Sequence, residues 1–243
     1  MTGLRYVYAV CRPLGAPLQA QLTGVAGAPA KPLAHHGLVA VVSEVPEAEF
    51  AHEPLRAHLD DLEWLAATAR AHHGVIDALT VVTTPLPLRL ATVFRDDSGV
   101  RTMIEAREDH FRATLERLHG RVEWGVKVYL EAAEEPAAPV AQEELRQRAE
   151  TFASRLHERL AGYAEDSRLH APQNAALTGA SGPNALNAAY LVSRARSEEF
   201  VEVVDRTKDD VPGLRVELTG PWAAYSFAGE PAAAAPEEGE GAP

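Results

Sequence analysis

The spacing of apolar positions changes several times along the chain, and each change marks an element. LRYVYAVC at Leu4–Cys11 and GLVAVVSEV at 37–45 are β-branched and aromatic runs separated by a Gly/Pro/Ala-rich connection. Both predict strands, the second stopped by Pro46. From Pro54 the repeat becomes helical. Leu55, Leu59, Leu62, Leu65, Ala66 and Ala69 predict one amphipathic helix to about His73, with Pro54 suited to its first turn and Gly74 to its stop. LTVVT at 79–83 and LRLATVF at 88–94 predict strand-like pieces broken by Pro85 and Pro87. Val100, Ile104, Phe111, Leu115 and Leu118 then share a helical face, capped by Asp97 or Ser98 and ended by Gly120.

Past residue 120 the rhythm is cleaner. VEWGVKVYL at 122–130 alternates as a strand, and Leu145, Ala149, Phe152, Leu156 and Leu160 form the stripe of a helix over 143–163. A short strand at 168–170, a stronger one at 186–192, a helix capped by Ser197 that carries Phe200, Val203 and Val204, and a closing strand LRVEL at 214–218 follow. Strand, helix, strand, strand, helix, strand is the order of the split βαβ, or ferredoxin-like, unit. The chain therefore predicts an α+β protein of two domains. These are an N-terminal α+β domain over 1–119 and a C-terminal ferredoxin-like domain over 120–227, with a disordered acidic tail over 228–243.

Composition narrows the class. With 46% apolar and 24% charged residues the chain is that of a globular protein. No window is apolar enough to span a bilayer and MTGLRYVYAV has no signal-peptide pattern, which points to the cytoplasm. Cys11 is the sole cysteine, so intrachain disulfides and cysteine metal sites are excluded. A formal charge of −12 without a basic run argues against nucleic acid. Part of that charge lies in Glu230, Glu237, Glu238 and Glu240 of the tail and in Glu131, Glu134 and Glu135 of EAAEEPAAPVA, a linker or loop too poor in apolar residues to order itself.

Candidate chemistry is sparse. Ten histidines include the pairs His35/His36 and His72/His73. Adjacent positions on a helix point about 100° apart and cannot share a metal as an i, i+4 pair does. His72 and His73 fall at the predicted polar end of their helix, as surface residues. His52, His58, Asp60, Asp61 and Glu63 make a polar patch around a helix start, where negative charge is favourable without catalysis. Ser181 in TGASGPN lacks the G-x-S-x-G frame, and no phosphate-loop or dinucleotide pattern occurs. Arg89, alone in LRLATVF, is either a buried guanidinium with a partner or an edge arginine facing water. No catalytic, cofactor or metal set emerges.

What remains is aromatic. In LTGPWAAYSF, Gly220 and Pro221 end the last strand, so that Trp222, Tyr225 and Phe227 fold back as a plug into the seam between the two domains, with partner contact as the alternative. This segment joins DLEWL with AxAH (61–65, 69–72), PLRxxTVF (87–94), EWGVKV (123–128) and LNAAYLV (186–192) in a series that resembles the gas vesicle protein F/L family from residue 4 to 227. The chain departs from the family pattern where Leu90-Ala91 replace the usual Phe-Gly and Ala223-Ala224 the usual Pro-Pro. The resemblance implies two α+β domains, the second ferredoxin-like. It also implies a non-enzymatic, cofactor-free gas vesicle accessory protein of the cytoplasm and the gas vesicle. Such a protein assists assembly or nucleation of the shell by binding the small hydrophobic shell protein, beside other gas vesicle accessory proteins, and is either released or retained as a minor vesicle component. The candidate interface or domain-seam residues are Trp64, Arg89, Phe94, Trp124, Trp222, Tyr225 and Phe227. A rival expectation is a small-molecule-binding regulatory protein on a ferredoxin-like scaffold. A hydrolase built on Ser181 or the histidine/carboxylate patch is the third.

Overall fold

The structure, a computed structural model, describes residues 3–15, 18, 22–131, 139–171, 183–208 and 210–229. The serine loop with Ser181, most of the inner acidic segment and all but the first two residues of the tail lie outside the described residues. Helix and sheet are mixed, and every pairing among the described strands is antiparallel.

The first sheet runs β2 (Lys31–His35), β3 (Leu38–Val45), β1 (Leu4–Cys11), β4 (Leu86–Pro87), with β5 (Val93–Phe94) also pairing β1. Strand β2 was absent from the sequence pattern because KPLAH is a short, half-exposed edge carrying a proline, which only an edge tolerates. Apart from Arg5, strand β1 is apolar because both of its faces are buried from Tyr6 onward. A bulge between Val7 and Ala9 makes Tyr8 an extra residue, so Tyr6, Tyr8, Ala9 and Cys11 face one core while Val7 and Val10 face another.

After a short α1 (Glu47–Phe50), the helix expected from Pro54 is in fact two, α2 (His52–His58) and α3 (Leu62–Val82). Asp61 starts the last, its carboxylate accepting the backbone N–H of Glu63 at 3.0 Å and of Trp64 at 3.1 Å. Gly74 does not end it. The buried stripe Thr68, His72, Val75, Ile76 and Leu79 continues across the glycine, and packing of that stripe on β1 outweighs the glycine's cost. The piece LTVVT is therefore the last turn of a helix, not a strand.

Asp96, rather than Asp97 or Ser98, caps α4 (Asp97–Ala106), and a break at Arg107 separates α5 (Glu108–Leu118).

The second sheet is β7 (Asp166–Leu169), β8 (Asn184–Ser193), β6 (Arg121–Leu130), β9 (Leu214–Trp222). Helices α6 (Pro139–Ala161) and α7 (Ser197–Asp205) cover the face formed by Trp124, Val126, Val128, Ala188, Tyr190 and Val192. Ser197 opens α7 without capping it; its hydroxyl accepts from Trp124 Nε1 at 3.3 Å. Ala189 and Leu191, on the opposite face of β8, join a middle core with Val7, Val10, Phe111 and Leu115. No helix among the described residues is long and apolar enough to cross a membrane.

Candidate functional site

The C-terminal aromatic segment lies where these cores meet. Strand β9 does not stop at Gly220 and Pro221 but bulges there and carries on to Trp222, which sits opposite Glu123 of β6. Gly220 is required at that point. Its φ is 123°, and an added Cβ would stand 2.8 Å from the Glu123 carbonyl oxygen.

The chain then turns inward as a short 3-10 helix over Tyr225–Phe227, sending its side chains to two different cores. Ala223 and Tyr225 pack with Tyr6, Ile76 and the α3 side, while Ala224 and the fully buried Phe227 enter the middle core. Three charged side chains hold this turn. Glu123 accepts the Ser226 N–H at 2.8 Å and the Ser226 hydroxyl at 2.7 Å, Arg117 of α5 donates to the Phe227 carbonyl at 2.6 Å, and the Arg168 guanidinium of β7 lies 5.4 Å over the Phe227 ring. Burial pushes the Glu123 carboxyl up from its ordinary range, while the two bonds from Ser226 and the charge of Arg168 pull it back.

Trp222 does not share in the plug: it is 45% exposed. Phe94 is half-buried against the middle core, Trp124 is 8% exposed in the core under α6 and α7, and Trp64 is half-buried between Phe50 and a stacked His58 ring 4.9 Å away. Arg89 is exposed in the turn after β4. Two residues on, Ala91, at a φ of 61°, occupies the left-handed backbone for which glycine would be the ordinary choice. The structure thus brings Tyr225 and Phe227 to a seam where the cores meet, with Phe94 at the edge of the same middle core, and leaves Trp64, Arg89, Trp124 and Trp222 elsewhere on the molecule. Glu123, Ser226, Arg117 and Arg168, which fasten the seam, carried no sequence signal beyond the presence of Glu123 in EWGVKV.

His72 also departs from expectation. Because α3 runs on past Gly74, His72 is a mid-helix residue, 1% exposed, with Nδ1 3.0 Å from the Tyr6 hydroxyl. Tyr6 also accepts the Ala91 N–H at 3.1 Å, so the hydroxyl joins α3 to the turn after β4. Burial, with the charge of His73 adding to it, pushes His72 down to about 4. Nε2 of His72 and the Tyr225 hydroxyl have no hydrogen-bond partner among the described residues. Cys11 is buried, which pushes its thiol up to about 12 and leaves it unreactive. His52 is exposed with its Nδ1 3.1 Å from Glu53 Oε1, and Asp61 serves as a helix cap. His35 and His36 lie at a strand end and turn instead of on a helix.

This architecture and its motif series have known counterparts. The model of the family described as gas vesicle synthesis protein GvpL/GvpF matches residues 4–229. The chain is 52% identical over 249 residues to gas vesicle protein L of a Streptomyces species, covering 93% of each, and 27% identical over 247 residues to gas vesicle protein F of the same organism, covering 91% of this chain and 98% of that one. Among solved structures it resembles GvpF of an Anabaena species with a TM-score of 0.74 at 18% identity, over 93% of this chain and 96% of that one. GvpF of Microcystis aeruginosa gives a TM-score of 0.71 at 18% identity, over 94% and 100%. The chain belongs to the GvpL/GvpF family of gas vesicle proteins.

Proposed function

We infer that this protein is a non-enzymatic accessory factor that assists assembly or nucleation of the gas vesicle shell in the cytoplasm by binding the small hydrophobic shell protein. Family membership supports the gas vesicle setting. The strand order β7-β8-β6-β9, with both helices on one face, supports a ferredoxin-like unit over 120–227 beside an α+β unit over 1–119.

The observation that carries the binding role is Leu62. Within DLEWL, Asp61 caps α3 and Trp64 packs inward, so each has a local reason to be where it is. Leu62 has none: it is 80% exposed, with Leu59 at 45% beside the α2–α3 joint. Exposed apolar side chains rimmed by Asp60, Asp61 and Glu63 suit a soluble partner for a chain that turns an apolar face to gas.

Co-purification with the small shell protein tests this. Leu62→Glu leaves unfolding stability within about 0.5 kcal/mol of the parent, as an exposed position should, yet loses the shell protein. No association of the unaltered chain, together with intact vesicles after deletion of its gene, sinks the proposal. Presence of the chain on washed vesicles decides retention as a minor component.

A further inference from the structure

The turn between β2 and β3 carries a side-chain cluster with no part in the seam or the α2–α3 joint. His35 closes β2 opposite Leu38, and His36 and Gly37 form the two-residue turn with φ of 48° and 70°. Consecutive strand residues point to opposite faces, but the left-handed backbone at His36 cancels that alternation. The two imidazoles stack, centroids 4.3 Å apart and planes 21° from parallel. The break at Arg107 between α4 and α5 brings two carboxylates to the same place. Glu105 Oε1 lies 2.6 Å from His35 Nε2, and Glu108 Oε2 lies 2.8 Å from His36 Nδ1. One ring nitrogen of each histidine and a carboxylate oxygen of Glu105 all fall within 4.8 Å of one another.

We propose that His35, His36 and Glu105 form a binding site for a first-row divalent cation of the zinc class, which ties the β2–β3 turn to the α4–α5 joint. Two imidazoles and one carboxylate, with a fourth position for water, are a donor set that suits such a cation. Bond lengths of about 2.0–2.2 Å place tetrahedral ligand atoms roughly 3.3 Å apart, so Glu105 and His35 must open from their 2.6 Å contact by less than an ångström. The Glu105 side chain is half exposed and can make that movement. An imidazole binds a cation through Nε2 only with its proton on Nδ1, so the cation fixes that tautomer of His35.

Glu108 supports the site from behind. Arg112 donates to Glu108 Oε1 at 2.9 Å and also to the His36 carbonyl, so the carboxylate is paired and can only accept. Nδ1 of His36 therefore carries the proton, and Nε2 keeps its lone pair. Carboxylate behind histidine behind metal is the usual way a protein orients such a ligand.

Titration of the metal-free full chain with Co2+, followed in the visible range, is the test, with Zn2+ then competing against a chromophoric chelator. One Co2+ per chain with four-coordinate bands, displaced by one equivalent of Zn2+, is expected. His35→Gln abolishes the bands, as does His36→Asn, chosen because asparagine tolerates the left-handed turn. Glu108→Gln weakens Zn2+ binding by about 10- to 100-fold. His52→Ala and His73→Ala, elsewhere on the molecule, change neither. Bands that survive in the double variant His35→Gln/His36→Asn, or that never form with the unaltered chain, overturn the proposal; circular dichroism of each variant shows that a lost band is not a lost fold.

Discussion

A single imidazole sets much of how this protein should respond to acid. His72 is enclosed by Tyr6 and Tyr8 of β1, by Tyr225 of the 3-10 turn and by His73 of its own helix. It is held down to about 4, against about 6.5 when the chain is unfolded. The unfolded chain therefore takes up this proton first as pH falls. Stability that is complete above about pH 6.5 is lost between there and about 4, at up to ~1.4 kcal/mol per pH unit. Urea unfolding measured from pH 7.5 to 4.5 reads that slope directly, and His72→Gln should flatten it by one proton's worth. An unchanged slope would mean that other groups dominate the acid limb.

Among elements, the 3-10 turn and the strand before it offer the sharpest contrast. Phe227→Ala removes a fully buried ring and should cost about 3–5 kcal/mol in urea unfolding, whereas Trp222→Ala, at a half-exposed position, should cost less than about 1 kcal/mol. Equal losses would contradict the placement of the plug. Nothing in LTGPWAAYSF separates these two aromatics, because core and surface rings look alike until a neighbour is known. The same limit explains which elements were legible. Strands β1, β3, β6 and β8 are long and strongly patterned, and their positions followed from pattern alone. LTVVT misled because its β-branched residues favour a strand locally, while Leu79 belongs to a helical stripe begun eleven residues earlier at Thr68. The polar fasteners of the seam, Glu123 to Ser226 and Arg117 to Phe227, join positions 103 and 110 residues apart, a relation that spacing in sequence cannot express.

For the molecule as a whole, the middle core makes the two sheets depend on each other. It contains Val7 and Val42 of the first, Ala189 and Leu191 of the second, and Phe227 between them. Calorimetry of the full chain should accordingly give one cooperative transition, and a chain ending at Trp222 should give two. A single transition from both would show that the sheets adhere without the plug. The placement of that plug also bears on the order of events during synthesis. Residues 223–228 leave the ribosome after every element they pack against, at roughly 5–20 residues per second. Until they emerge, the apolar faces they will cover are open to water and to other chains, so the nascent protein stays sticky until this one turn closes over them.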